Sequence, residues 1–197
     1  MNPQTFIFIG NSGCGKGTQA KFLEEYIKKE DSKKQPLFYL ETGPRFREFI
    51  KGENYSSKLS ADMYGKKLRQ PDFLAIWLWA DAMTKSFSGT EHLIADGVSR
   101  SLLEAQSFDT ALSFYGRKAN VVYLKVGEDW SRKHLMSRGR VDDSPEGIET
   151  RLGWFKTDVI PAIEYYRNNP NYNFIEVDGE QGKEDVHKNI VEKLILF

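Results

Sequence analysis

The stretch that most constrains this chain is Gly10-Asn11-Ser12-Gly13-Cys14-Gly15-Lys16-Gly17-Thr18. It follows the apolar run Phe6-Ile7-Phe8-Ile9 and opens a segment, 16–29, that reads as a helix. A glycine-rich turn between a strand and a helix lines its inside with backbone N–H groups and aims a helix dipole at whatever sits there, so it suits phosphate. Gly10, four residues, then Gly15-Lys16 has the spacing of a phosphate loop whose lysine reaches the outer phosphates of a nucleotide. A plain glycine turn is the bland alternative, and four glycines with a lysine in strand–turn–helix order speak against it. The residue after the lysine is Gly17, where the general pattern has Ser or Thr, and Thr18 comes one place later. The loop alone indicates a nucleotide and leaves the reaction open.

Five short apolar runs, 6–9, 37–40, 92–95, 121–126 and 173–177, alternate with segments of helical periodicity. Among the latter are Ala20, Leu23 and Ile27; Phe46, Phe49 and Ile50; and Val186, Ile190 and Leu194. Strands separated by helices predict an α/β fold, a five-stranded parallel sheet wound on both faces. Ligands bind such a sheet beyond the carboxyl ends of its strands, so the residues just after each strand are the ones to read. The second strand is followed by Glu41-Thr42-Gly43-Pro44-Arg45-Phe46-Arg47 and the third by Asp96-Gly97-Val98-Ser99-Arg100. After the fourth, a helix carrying His134 and Arg138 runs into Gly139-Arg140-Val141-Asp142-Asp143. A long helix then starts at Ser144-Pro145 with the stripe Ile148, Leu152, Phe155, Val159, Ile163 and Tyr166. Pro161 is expected to kink it, and Arg151 lies off the stripe, facing away from the core.

Composition removes several function classes. The 28 Lys+Arg balance 28 Asp+Glu, so no net field draws the chain to nucleic acid or a membrane surface. A single cysteine permits neither an internal disulfide nor a cysteine-rich structural zinc site. No apolar stretch approaches the roughly 20 residues that span a bilayer, and no leader precedes the first strand, so a cytoplasmic location is expected. A length of 197 residues suggests one domain.

Arg47, Arg100, Arg138, Arg140 and Arg151 all fall near the sheet edge that carries the phosphate loop. Each alone reads as a solvated surface residue. Together they suit a phosphate clamp, because the planar guanidinium contacts phosphate oxygens in pairs and stays charged. Phosphoryl transfer needs such cations, alignment and exclusion of water more than covalent help.

At this point the chain resembles the adenylate kinase family of nucleoside monophosphate kinases over nearly its whole length. Gly10 to Thr18 with Gln19-Ala20 looks like that family's phosphate loop, in which Gly-Lys-Gly-Thr-Gln is distinctive. Thr42-Gly43 with Arg47, Asp96-Gly97 with Arg100, and Arg138-Gly139, Arg140-Val141-Asp142-Asp143 and Arg151 resemble its later motifs in order. The resemblance implies transfer of the γ-phosphoryl of ATP to a monophosphate, with AMP the first choice and GMP, UMP or CMP the alternatives. A non-kinase P-loop binding protein or switch is less favoured, because it needs no second basic pocket.

By the same resemblance, Gly13, Cys14, Gly15, Lys16, Gly17 and Thr18 hold the ATP phosphates, while His134 and the stretch through Gln181 lie by the ATP base. Thr42, Arg47, Gly97 and Arg100, with Arg140 and Arg151, hold the monophosphate. Lys16, Arg100, Arg138, Arg140 and Arg151 stabilise the migrating group. Gly17 offers no hydroxyl to Mg2+, so Asp96 is expected to hold that ion through water, with a strand-end turn as the alternative role. Asp142 and Asp143 either orient the arginines or are simply acids at a helix start. Residues 42–68 would form a mobile flap on a core of 1–41, 69–137 and 144–197; simple surface helices fit the flap equally. The assembly is expected to be a monomer or small homo-oligomer.

Four departures from the family pattern stand out. Residues 138–143 leave almost no lid, so ATP hydrolysis without acceptor is expected to rise. His134 stands where an arginine usually covers the ATP base; it either stacks there or is an ordinary helix-face histidine. Pro44 replaces an acid near the metal. Glu104 replaces a glutamine that faces adenine: a carboxylate only accepts hydrogen bonds, which suits guanine's paired N–H groups, and a solvent-facing glutamate is the third reading. The run Phe73-Leu74-Ala75-Ile76-Trp77-Leu78-Trp79 is expected to be a core helix, an exposed Trp77 or Trp79 pointing to an oligomer contact instead.

Overall fold

A computed structural model describes residues 1–139 and 143–196. Its centre is a parallel sheet of β1 (Thr5–Gly10), β2 (Leu37–Glu41), β3 (His92–Asp96), β4 (Ala119–Lys125) and β5 (Tyr172–Asp178), in the order β2-β3-β1-β4-β5. The inner strands are apolar on both sides, because helices cover both faces. Strand alternation divides them: Ile7, Ile9, Leu93, Ala95 and Val121 enter one core, and Phe6, Phe8, Ile94, Val122 and Leu124 the other. The first core is closed by α4 (Asp72–Ser86), α5 (Leu102–Phe114) and α8 (Ile160–Arg167). The second is closed by α1 (Lys16–Glu30) and α9 (Lys183–Glu192). The register sets Phe8 and Glu41 beside Asp96, Gly10 beside Leu124, and Lys125 beside Asp178. All five strands therefore end at one edge, which is where the candidate site residues read from the sequence lie.

Between β2 and α4 the chain forms α2 (Thr42–Phe49) and α3 (Tyr55–Gly65), the latter capped by Asn54 accepting the Ser57 N–H at 2.9 Å. The segment 42–68 thus contains two short helices. In α4 the neighbouring tryptophans part: Trp79 is buried edge-on against Phe108, whereas Trp77 packs on Phe49 with 46% of its surface exposed.

After α6 (Glu128–Arg138), the long stripe beginning at Ser144 is not one α-helix. It runs as α7 (Pro145–Trp154), a π-helical turn at Phe155–Val159, and α8. Pro161 has no N–H and its ring crowds the carbonyl four residues earlier, so the regular ladder cannot continue. The chain takes in a wider turn instead, with the Ile160 N–H donating to the Phe155 carbonyl. The expected kink is this turn. No helix among the described residues is long and apolar enough to cross a membrane.

Candidate active site

The loop 10–18 is shaped by its glycines. Gly10 and Gly13 have φ of 146° and 80°, and both lie flush against other backbone: an added methyl would stand 2.6 Å from the Leu124 carbonyl oxygen and 2.9 Å from that of Ser131. Beside Gly15, the cap of α1, no atom lies within 4 Å of that position, so the mouth of the loop is open. Lys16 Nζ donates to the Gly10 and Asn11 carbonyls at 2.9 and 2.8 Å, folding over the loop it serves. Cys14 is buried below; burial pushes its thiol pKa up, with the Lys16 charge opposing. Gly17 and Thr18 are exposed in the first turn of α1.

Asp96, at the end of β3, is 8% exposed, and its Oδ2 lies 3.6 Å from where a Gly17 side chain would begin. The missing side chain at Gly17 keeps the space between carboxylate and loop clear. Tyr39 donates to the same oxygen at 3.3 Å, and burial followed by the Asp96 charge drives its phenol far above the ordinary range. Among the described residues no group of three or more His, Cys, Asp or Glu forms a metal cage. One hard carboxylate beside a phosphate loop nevertheless suits Mg2+, which keeps most of its waters and leans on substrate phosphates.

A second polar group lies where β2 and β3 end. Thr42 Oγ1 donates to the Gly97 carbonyl at 2.5 Å, and Arg100 Nε donates to the same oxygen at 3.1 Å. Arg47 lies over Gly43, its Nη1 3.3 Å from the position of an added methyl, on the opening turn of α2. Gly97 has φ of 71°, and a side chain there would strike the Arg100 guanidinium at 2.8 Å. Beneath the loop, Ser99 and Tyr166 share a buried hydrogen bond of 2.8 Å. Glu104 is buried, which removes the solvent-facing reading; its Oε2 accepts the Arg100 N–H at 3.2 Å.

The third group surrounds Asp143, whose side chain is 1% exposed. Arg138 grips it with two donors at 2.9 and 2.8 Å, and Arg151 Nη2 reaches the same carboxylate at 2.7 Å while its Nε donates to the Gly147 carbonyl. Asp143 therefore holds both arginines, and the cap of α7 is Ser144. The calls on Arg140 and Asp142 lie outside the described residues.

His134 is exposed and stacks on Trp130, ring centroids 4.3 Å apart, with Nδ1 2.9 Å from the Trp130 carbonyl. Gln181, also exposed, bonds Asp178 and Asn189 in the loop after β5. That loop lies against the phosphate loop, since a methyl on Gly179 would come within 3.5 Å of the Cys14 carbonyl oxygen.

Arg69 was missed by the sequence reading. Its guanidinium meets Asp72 at 2.5 Å, Asp158 at 3.4 Å and Glu104 at 3.7 Å. No spacing rule links positions 69, 104 and 158; only the fold brings them together.

The family model described as "Adenylate kinase" matches residues 8–171. The chain belongs to the adenylate kinase family. It is 33% identical to an adenylate kinase of Prochlorococcus marinus (strain MIT 9515) over 88% of this chain and 90% of that one. It is 29% identical to one from Azobacteroides pseudotrichonymphae genomovar. CFP2 over 94% of each, and 30% identical to one from Corynebacterium glutamicum (strain R) over 95% and 97%. Membership of the adenylate kinase family makes this chain a phosphotransferase and implies ATP and Mg2+ in general terms.

Proposed function

We propose that this protein transfers the γ-phosphoryl of ATP to AMP, giving two ADP. The observation that carries this reading is a phosphate loop and a separate arginine-bearing pocket on the same edge of one sheet. A donor-only site, as in a switch, has no use for the second. In this reading the N–H groups of 13–18 and Lys16 hold the donor phosphates, and Thr42, Arg47, Gly97 and Arg100 hold the acceptor phosphate. Lys16 leaves its loop carbonyls for the phosphates, a short rotation on a flexible stem. Arg138 and Arg151, kept in place by Asp143, face the charge that spreads over the moving group; an arginine in that role is worth about 10³-fold or more. When bound, Mg2+ supplies charge neutralisation, and Asp96 is the residue that would hold its waters. Helices α2 and α3 form the flap that closes over the acceptor, and the proposal includes a cytoplasmic location and a monomer or small homo-oligomer.

The test is a coupled assay with ATP and each of AMP, GMP, CMP, UMP and dTMP. AMP is expected to give the highest kcat/KM, and ATP alone a measurable slow hydrolysis because 138–143 is so short. Absence of diphosphate from every acceptor would remove the kinase reading.

A further inference from the structure

Helix α7 carries Arg151, yet little apolar packing holds it. Its buried residues Ile148 and Leu152 meet Leu135 of α6 in a small cluster separate from the two cores on the sheet. The direction of α7 therefore depends on its two ends. At the start, Arg138 and Arg151 both bind the buried Asp143. At the other end the helix passes into the π-helical turn, where Phe155 and Val159 are only partly buried against the first core. Two such side chains set how deep the turn sits and leave its rotation loosely defined.

A polar contact supplies what that packing lacks. Asp158 on the turn lies 3.4 Å from Arg69 Nε, and Arg69 Nη2 lies 2.5 Å from Asp72 and 3.7 Å from Glu104 Oε1. Glu104 is buried, and its other oxygen accepts the Arg100 N–H at 3.2 Å. Ser101 Oγ donates to Asp72 at 2.7 Å and accepts the Glu104 N–H at 3.2 Å. Arg69, Asp72, Ser101 and Glu104 thus close a ring between the starts of α4 and α5. From that ring one arm reaches the backbone of Arg100, and the other reaches Asp158, seven residues along the chain from Arg151.

We propose that Arg69 is a positioning residue for phosphoryl transfer: by joining Glu104 to Asp158 it fixes α7, and with it Arg151, relative to the loop that holds Arg100. It acts through these two carboxylates and not on a nucleotide. This inference rests on the monophosphate kinase reading above.

Arginine suits the task because its planar fork gives each N–H a fixed direction, so carboxyl groups from three elements are held in one relative arrangement. A lysine in its place is a point charge on a flexible stem, with no such geometry. The Asp158 pair is partly open to water, so it adds little to stability. Its effect on the reaction is larger, since a displacement of about 1 Å that originates far from the chemistry can cost about 10²-fold in rate.

The experiment follows ADP formation from ATP and AMP by rapid quench in full-length variants, together with KM for each nucleotide and the melting temperature. Asp158→Asn keeps the side-chain shape and leaves Arg69 its Asp72 and Glu104 partners, so its melting temperature is expected within about 4 °C of wild type. Its transfer rate constant is expected to fall about ten-fold with both KM values changed by less than about two-fold, the pattern of a contact felt in the transition state. Arg69→Lys, which keeps the charge and loses the fork, is expected to show the same fall. Lys67→Ala breaks a pair from the same stretch of chain to Glu146 but spares the ring, and is expected to leave the rate constant unchanged. In an Arg151→Lys background, Asp158→Asn is expected to add less than about two-fold, because the group it positions is gone. The full loss repeated in that background, an equal fall in Lys67→Ala, or wild-type transfer by Asp158→Asn or Arg69→Lys would overturn the proposal. If wild type forms ADP and any of these results appears, only this inference fails. If wild type forms no diphosphate, the kinase reading fails with it.

Discussion

On the donor side, loop 10–18 owes its shape to main chain: glycines with positive φ, carbonyls of β4 and α6 in van der Waals contact, and a strand buried on both faces. On the acceptor side, the positions of Arg47, Arg100, Arg69 and Glu104 come from side chains that meet across α2, α4, α5 and the π-helical turn. Main-chain architecture leaves no room for a side chain at Gly10 or Gly13. Side-chain architecture is softer, because a single substitution can remove one of its contacts.

The contrast can be broken in measurable ways. Lys16→Met removes the lysine that we propose holds the donor phosphates, and is expected to lower kcat by about 10²–10³-fold or more, with the melting temperature unchanged. A retained rate would show that the loop acts through backbone alone. Gly13→Ala forces a methyl toward the Ser131 carbonyl at φ of 80°, and should cost about 2 kcal/mol in denaturant unfolding. An effect near zero would mean that the donor half is as yielding as the acceptor half. The smallest change is expected for Lys67→Ala, which breaks the ion pair with Glu146 that ties the chain just after α3 to α7. Both partners are well exposed, so its stability cost should be small, while a change in KM for AMP without one in kcat would support the proposed flap motion.

The same contrast explains what the sequence disclosed. The phosphate loop, the strand ends and the two-faced sheet follow from local spacing, because a strand–turn–helix unit is contiguous. Arg138, Asp143 and Arg151 are close enough in sequence for their meeting to be anticipated. Arg69 was not legible, since Glu104 and Asp158 reach it from elements that are remote in sequence. Nearby positions in an apolar run also conceal their fates: Trp77 and Trp79 are indistinguishable until α4 is docked. Pro161 announced an interruption, but whether the chain would bend, break or widen depended on the packing of α8 against α5 and β5.

The widened turn at Phe155–Val159 acts as a phase shifter. In a continuous α-helix each residue advances about 100°, so the direction of Arg151 would fix that of Tyr166. The inserted turn offsets them: α7 turns its arginine onto Asp143 while α8 seats Ala162, Ile163 and Tyr166 against the sheet. Deleting one residue within 155–159 would restore the helical phase and rotate one half by about 100°, so that either the arginine or the tyrosine would be misdirected.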